Sequence, residues 1–199
     1  MTGMTEALRG ADPEQGVDAC PGWTVRDLAW HLIGVHRWAR AALDSDGAPA
    51  YDESPIAGDF VETYRLAAQD LLEALRSRDG DSPAWTFDRT NRTASFWHRR
   101  QLHEIAVHRW DVEPYPFADD VAIDGIDEVL SFMLPRMQAS GRATLAQGSL
   151  HLAAPTRSWT IGSGTPETTV ESSPGELLLL LWGRAGSLPG AWSEAKLTP

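Results

Sequence analysis

Cysteine and lysine are almost absent from this sequence. The chain of 199 residues has one cysteine, Cys20, which excludes an internal disulfide framework and fits a reducing compartment such as the cytoplasm. Lys196 is the only lysine among the 17 basic residues, and all the others are arginine. The longest aliphatic run, 177–181, is far too short to span a bilayer, and residues 1–22 lack the apolar core of a signal peptide. The sequence therefore predicts a cytoplasmic protein without a membrane span.

Positive charge is also scarce overall. Asp and Glu outnumber Lys and Arg by 28 to 17, which leaves a formal net charge of −11. Such a surface repels the phosphates of nucleic acids and anionic membranes, so neither is expected as a partner. The remaining composition, with 42% hydrophobic and 23% charged residues, is that of an ordinary globular protein, large enough for one domain or two small ones.

Hydrophobic periodicity divides the chain into a helical first part and a mixed second part. The first part shows helical patterns at Val25 to about Leu43, Phe60 to about Arg76 and Ser95 to just before Pro114, with a short segment at Thr5–Gly10. The second part shows a helix at Ile123 to about Met137, strands at 149–153, 158–161 and 168–171, and a helix at 175–184. The sequence therefore predicts an α+β protein, mainly α, with domains at residues 1–114 and 115–199.

A carboxylate and an imidazole share one face of a predicted helix. Glu104 and His108 are four residues apart, so they lie roughly 40° apart around the helix axis. His31 occupies the apolar face of an earlier predicted helix and supplies a third potential ligand. Two His and one Glu bind a divalent metal and leave a fourth position for water, substrate or thiolate. Asp111 returns to nearly the same face, where it could orient a ligand imidazole.

Less specific interpretations of these residues stay open. Glu and His at this spacing often form a solvated pair on a helix surface, and a lone His31 on an apolar face is often a core histidine. Against this, a polar face on a buried helix is costly unless its groups are paired or bind a metal. Cys20 is expected to be a semi-buried thiol. The other histidines are expected to be structural or on the surface: His36, His98, His103 and His151.

Four stretches carry a resemblance to a known family. They are Cys20–Leu28 (CPGWTVRDL) followed by His31-Leu32, His103–Asp111 (HEIAVHRWD), Ala122–Glu128 (AIDGIDE) and Leu177–Arg184 (LLLLLWGR). With these motifs, over about residues 17–190, the chain resembles the mycothiol-dependent maleylpyruvate isomerase family. The resemblance implies a DinB-like up-down helical bundle followed by a small α/β domain. The first helix of the bundle is expected to be truncated here, to about Thr5–Gly10.

The resemblance also implies a cofactor and a chemistry. A divalent metal, usually zinc, would be bound by His31, Glu104 and His108. The family's cofactor is mycothiol, the low-molecular-weight thiol of actinobacteria, which would lose its thiol proton at the open metal position. The thiolate would add to an electrophilic carbon of a small substrate. Elimination after bond rotation gives cis–trans isomerisation, and stopping at the adduct gives S-transfer. Arg184 matches an arginine expected to assist catalysis by holding substrate or cofactor.

The leading hypothesis is therefore a metal- and mycothiol-dependent isomerase or S-transferase. Two alternatives stay open. One is a metal-binding or small-molecule-binding protein without catalysis, and the other is a metal-dependent hydrolase in which the fourth position activates water. The groove left exposed by a short first helix favours a homodimer.

Overall fold

The structure, a computed structural model, describes residues 1–52, 54 and 58–198. It divides into two compact units, Met1–Tyr115 and the residues from Pro116 onward. The described elements of the first unit are helices, and the second unit combines helices with a three-stranded sheet. The predicted fold class, α+β and mainly α, is confirmed. The boundary between residues 114 and 115, as a division between independent domains, stays a prediction.

The first unit is built from four α-helices in its described part. They are α1 (Thr2–Gly10), α2 (Val25–Ala42), α3 (Phe60–Arg76) and α4 (Ala94–Val112). Helix α1 has 9 residues against 18 in α2, and it begins at Thr2 rather than at the predicted Thr5. Such a short helix is marginal in isolation. Here Met4 and Leu8 are buried where α1 packs on α3 and α4, and this packing stabilises it.

Helix α2 begins at a capping box formed by Thr24 and Asp27. The backbone N–H of Asp27 donates to Oγ1 of Thr24 at 3.2 Å, and the backbone N–H of Thr24 donates to Oδ2 of Asp27 at 2.8 Å. Both bonds satisfy N–H groups that have no partner within the helix. The cap fixes where α2 begins, and thereby places His31 in its second turn.

An aromatic cluster joins α2 to α4 and to the loop before α4. Its members are Trp38, Trp85, Phe87, Phe96 and Trp97, with contacting ring centroids 4.8 to 6.5 Å apart. Trp97 is fully buried, and its Nε1 donates to the carbonyl oxygen of Trp85 at 2.7 Å. Because Trp38 belongs to α2 and Trp97 to α4, the cluster fixes the spacing of the two helices that carry the predicted metal ligands.

The second unit packs helices on a small mixed sheet. Its elements are α5 (Asp119–Glu128), a π-helical segment (Val129–Met133), α6 (Leu134–Ala139), β1 (Gly148–Ala154), β2 (Arg157–Ser163), β3 (Glu167–Glu171), α7 (Pro174–Leu181) and a 3₁₀ turn (Gly190–Glu194). The strand order is β2–β1–β3, with β1 antiparallel to β2 and parallel to β3. None of the described helices is long and apolar enough to cross a membrane.

The predicted helix at Ile123 to about Met137 is longer than expected and is interrupted. Helical structure runs from Asp119 to Ala139, with the π-helical segment in the middle. Pro135 has no N–H and cannot donate to a carbonyl one turn earlier. The π-helical segment ends two residues before the proline, and the change in hydrogen bonding there accommodates the missing bond without ending the helix.

Candidate metal centre

The three residues predicted as metal ligands meet in the first unit. His31 belongs to α2, and Glu104 and His108 belong to α4, one turn apart. Nε2 of His31 lies 3.2 Å from Oε1 of Glu104, and Nε2 of His108 lies 3.6 Å from the same oxygen. One nitrogen or oxygen of each side chain lies within 4.8 Å of the other two. The structure thus brings the three side chains together, while metal binding itself stays a prediction.

Glu104 is held in place by Arg100, one helical turn earlier. The Arg100 residue is only 4% exposed, and its Nη2 donates to Oε2 of Glu104 at 2.9 Å. Burial alone would raise the pKa of the Glu104 carboxyl, but hydrogen bonds with His108 and His31 and the charge of Arg100 hold this pKa well below its usual range. Glu104 is therefore a carboxylate, with Oε2 bound by Arg100 and Oε1 facing both imidazoles.

Each of the two imidazoles is also held at its other nitrogen. Nδ1 of His108 lies 2.9 Å from Oδ2 of Asp111, whose side chain is fully buried. Nδ1 of His31 lies 3.3 Å from the hydroxyl of Tyr51. Burial alone would lower the pKa of His108, but Asp111 and Glu104 raise it. Since a carboxylate only accepts hydrogen bonds, a neutral His108 keeps its proton on Nδ1 and presents the lone pair of Nε2 to the centre.

Two more residues, Cys20 and Tyr51, lie at this centre. The sequence contains few features that predict their presence there. Cys20 is half-buried, as predicted, and its sulfur lies within 4.8 Å of ligand atoms of His108 and Asp111. Tyr51 belongs to the loop between α2 and α3. Residue spacing does not encode the path of these loops. The Cys20–Leu28 motif is the one feature of the sequence that points to Cys20.

In the described part of the chain, no other histidine joins this group of ligand atoms. His98 is exposed and His103 is buried, both on α4. Nδ1 of His151, on β1, lies 3.0 Å from Oγ1 of Thr160. His36 is fully buried in α2, with Nδ1 at 2.8 Å from Oε1 of Gln101. These positions agree with the structural or surface roles predicted for the four histidines.

Buried His36 is expected to make the protein less stable in acid. Burial lowers the pKa of His36 to about 4, against a partial opposing effect of its hydrogen bond with Gln101. As the pH falls below about 6.5, the unfolded chain binds this proton before the folded protein does. The contribution of neutral His36 to the free energy of unfolding is about 3 kcal/mol. It is fully present above pH 6.5 and is lost as the pH falls from 6.5 to about 4.

Urea unfolding of wild type and His36→Gln at pH 7 and pH 4.5 checks this prediction. The free energy of unfolding should fall less with acid in the variant, because glutamine does not titrate. All other titrating groups are common to both proteins, so their effects cancel in the comparison. Equal acid sensitivity in the two proteins would contradict the expectation.

Arg184, the arginine predicted to hold substrate or cofactor, lies in the second unit just beyond α7. Its backbone N–H donates to the carbonyl oxygen of Leu179 at 2.8 Å, at the end of that helix. Its Nη1 donates to the carbonyl oxygen of Trp182 at 2.8 Å, and its guanidinium carbon lies 5.4 Å from the centre of the Trp182 ring. The side chain is therefore held locally, and its part in binding stays a prediction.

Comparisons with known proteins match both units. A family model described as the mycothiol maleylpyruvate isomerase N-terminal domain matches residues 1–113, and the MDMPI C-terminal domain matches residues 120–195. A crystal structure of a mycothiol-dependent maleylpyruvate isomerase is 17% identical, with a TM-score of 0.68 over 100% of this chain and 91% of that one. A point mutant of such an isomerase is 15% identical, with the same TM-score and coverage. No curated protein matches the chain. The likeness to the solved structures shows the fold.

Proposed function

Because the chain belongs to the mycothiol maleylpyruvate isomerase family, we propose that it is a mycothiol-dependent enzyme working at a divalent metal held by His31, Glu104 and His108. Its substrate is a small electrophile to which a thiol can add. The reaction ends in cis–trans isomerisation, as in the family's name, or in S-transfer. The family resemblance seen in the sequence motifs is confirmed, and the metal with its three ligands is the proposal.

One observation supports the metal proposal above all others. The Nε2 atoms of His31 and His108 both face Oε1 of Glu104, at 3.2 and 3.6 Å. Metal–ligand bonds of about 2.05 Å in a tetrahedron place ligand atoms roughly 3.3 Å apart. The two spacings on either side of the Glu104 oxygen are close to this value. The donor set of two imidazoles and one carboxylate suits zinc and leaves one position open.

The surrounding residues prepare these ligands for a metal. Asp111 keeps the proton of a neutral His108 on Nδ1, so the Nε2 atom of His108 is available. The Nε2 atom of His31 is available when Nδ1–H of His31 donates to the hydroxyl of Tyr51. Arg100 occupies Oε2 of Glu104 and leaves Oε1 as the ligand. A metal bound there supplies a Lewis acid that lowers the pKa of a thiol at its open position.

Further assignments rest on the family and on the sequence rather than on the geometry of the first unit. We assign zinc as the metal, mycothiol as the thiol cofactor, and Arg184 as the residue that holds cofactor or substrate and so assists catalysis. We also propose a cytoplasmic, actinobacterial enzyme with domains at residues 1–114 and 115–199, which associates as a homodimer.

Thermal unfolding with and without metal tests the proposed function. Metal-free protein is prepared with a chelator and heated with mycothiol alone, zinc alone or both. We expect mycothiol to raise the melting temperature only when zinc is present, by roughly 5–10 °C at about 100 times its Kd. S-methylated mycothiol, which has no thiol proton to lose, is the matched control and should give little shift.

The other outcomes point to the alternative functions. A shift with mycothiol that does not depend on zinc would indicate a binding protein without metal chemistry. Zinc-dependent ester hydrolysis in the absence of any thiol would indicate a hydrolase instead.

Replacing Asp111 by Asn is expected to weaken zinc binding by about 10- to 100-fold, the usual effect of losing the partner that orients a ligand histidine. The reason is that the carboxylate of Asp111 is fully buried and is bonded to Nδ1 of His108. Competition with a chromophoric zinc chelator measures the change. Asp81→Asn, at an exposed position of the same unit, serves as the control. Equal affinities in the two variants would show that Asp111 does not orient the ligand.

A further inference from the structure

A cavity of about 600 Å³ lies beside α4 in the first unit. Its walls come from the first turn of α1, the last turns of α3 and one face of α4, and its described lining contains neither Glu104 nor His108. Much of the wall is apolar: Met4, Leu72, Leu75, Leu102, Ile105 and Ala106. A cavity of this size with apolar walls falls in the range that binds small organic ligands.

Arg109 places an unpaired positive charge in this cavity. Its Nε is buried and has no hydrogen-bond partner, and none of the ion pairs between described residues includes Arg109. The guanidinium lies 4.1 Å from the centre of the Tyr115 ring and against Gly3, where a Cβ would come within 2.8 Å of it. It is thus held in place by packing. A partly buried cation without an anion is costly, so this arrangement favours an anionic ligand.

Gln101 adds a neutral hydrogen-bond donor to the same cavity. The residue is 1% exposed, and its Oε1 is occupied by Nδ1 of His36. Its Nε2 is buried without a hydrogen-bond partner, although Gln101 lines the cavity. Arg76 and His98 are exposed at the margin, and the described lining contains no Asp or Glu. The charged and donor groups of the cavity therefore all suit an anion.

We propose that this cavity binds a monocarboxylate with an apolar body. The carboxylate pairs with the guanidinium of Arg109 and accepts a hydrogen bond from Nε2 of Gln101. The hydrocarbon part lies against the leucine-rich wall. The site stands apart from the proposed metal centre and does not depend on it.

Isothermal titration calorimetry of the full chain with octanoate and with 1-octanol tests the proposal. Wild type should bind octanoate at least about tenfold more tightly than the uncharged alcohol, because charge-assisted hydrogen bonds to Arg109 are lost in the latter. Arg109→Met keeps the apolar stem and should weaken octanoate binding about tenfold or more while leaving octanol binding unchanged.

A second variant keeps the test valid if Arg109→Met fails to fold. Leu102 lines the cavity and is 47% exposed, so Leu102→Glu adds a repelling charge with little cost to folding. It should also weaken octanoate binding. Leu66→Glu is the matched control, because Leu66 is 53% exposed and is not part of the lining.

His108→Ala should bind octanoate as wild type does, which separates this site from the metal centre. No octanoate binding by wild type, equal binding of octanol, or unchanged binding in Leu102→Glu would overturn the proposal.

Discussion

Replacing His31, Glu104 or His108 by alanine is expected to lower kcat/KM for the thiol-dependent reaction by roughly 10³-fold or more. Each change removes one of three ligands from the proposed site, and a bound metal is worth several kcal/mol to the transition state. The changes are not equivalent structurally. His31→Ala and His108→Ala each remove an imidazole, whereas Glu104→Ala also removes the carboxylate that the buried guanidinium of Arg100 binds. The glutamate variant should therefore be the least stable of the three.

Turnover is measured with mycothiol and maleylpyruvate for isomerisation, and with mycothiol and a fluorogenic haloalkyl electrophile for S-transfer. His98→Ala is the control, because His98 lies on the same helix as Glu104 and His108 but is exposed. It should retain wild-type rates. Folded His31→Ala or His108→Ala protein with wild-type kcat/KM would show that the reaction does not use these ligands.

Trp97→Ala is expected to lower the free energy of unfolding by about 4 kcal/mol, the typical cost of removing a fully buried large aromatic side chain. Trp97 is fully buried, and its ring contacts those of four aromatic neighbours: Trp38, Trp85, Phe87 and Phe96. The variant also loses the hydrogen bond to the carbonyl oxygen of Trp85. Because this cluster fixes the spacing of α2 and α4, zinc affinity should fall as well, even in protein that remains folded.

Urea unfolding measures the loss of stability, and a chelator competition measures zinc affinity. Leu66→Ala is the control for a large apolar side chain at a mostly exposed position, where the effect should stay within about 0.5 kcal/mol. A loss below about 1 kcal/mol for Trp97→Ala would mean that the aromatic cluster does not hold the two helices together.

Local sequence signals located much of the proposed centre. The four-residue spacing of Glu104 and His108 places them on one helix face, and the structure has both within α4. The helical pattern from Val25 correctly predicted the start of α2 and hence the helix that carries His31. Spacing within helices cannot bring His31 to Glu104, since their contact joins residues far apart in the chain. The apolar face of its own helix made His31 a potential third ligand, and the family resemblance implied that it binds the same metal as Glu104 and His108.

Other features depended on packing that the sequence pattern does not reveal. Tyr51 reaches His31 from a loop, and Cys20 reaches Asp111 from the turn before α2. Periodicity also placed the start of the first helix too late, because its burial against α3 and α4 is a tertiary effect. The π-helical segment before Pro135 was missed for a related reason. Proline predicts a missing hydrogen bond, and the surrounding structure decides how the helix accommodates it.

The metal content of the purified protein, determined by elemental analysis, tests the central claim most directly. We expect close to one zinc ion per chain in wild type, and a strongly reduced content in the His31→Ala, Glu104→Ala and His108→Ala variants. Wild-type protein that binds no divalent metal even after supplementation would contradict the account, and the three side chains would then form a buried polar cluster without a metal.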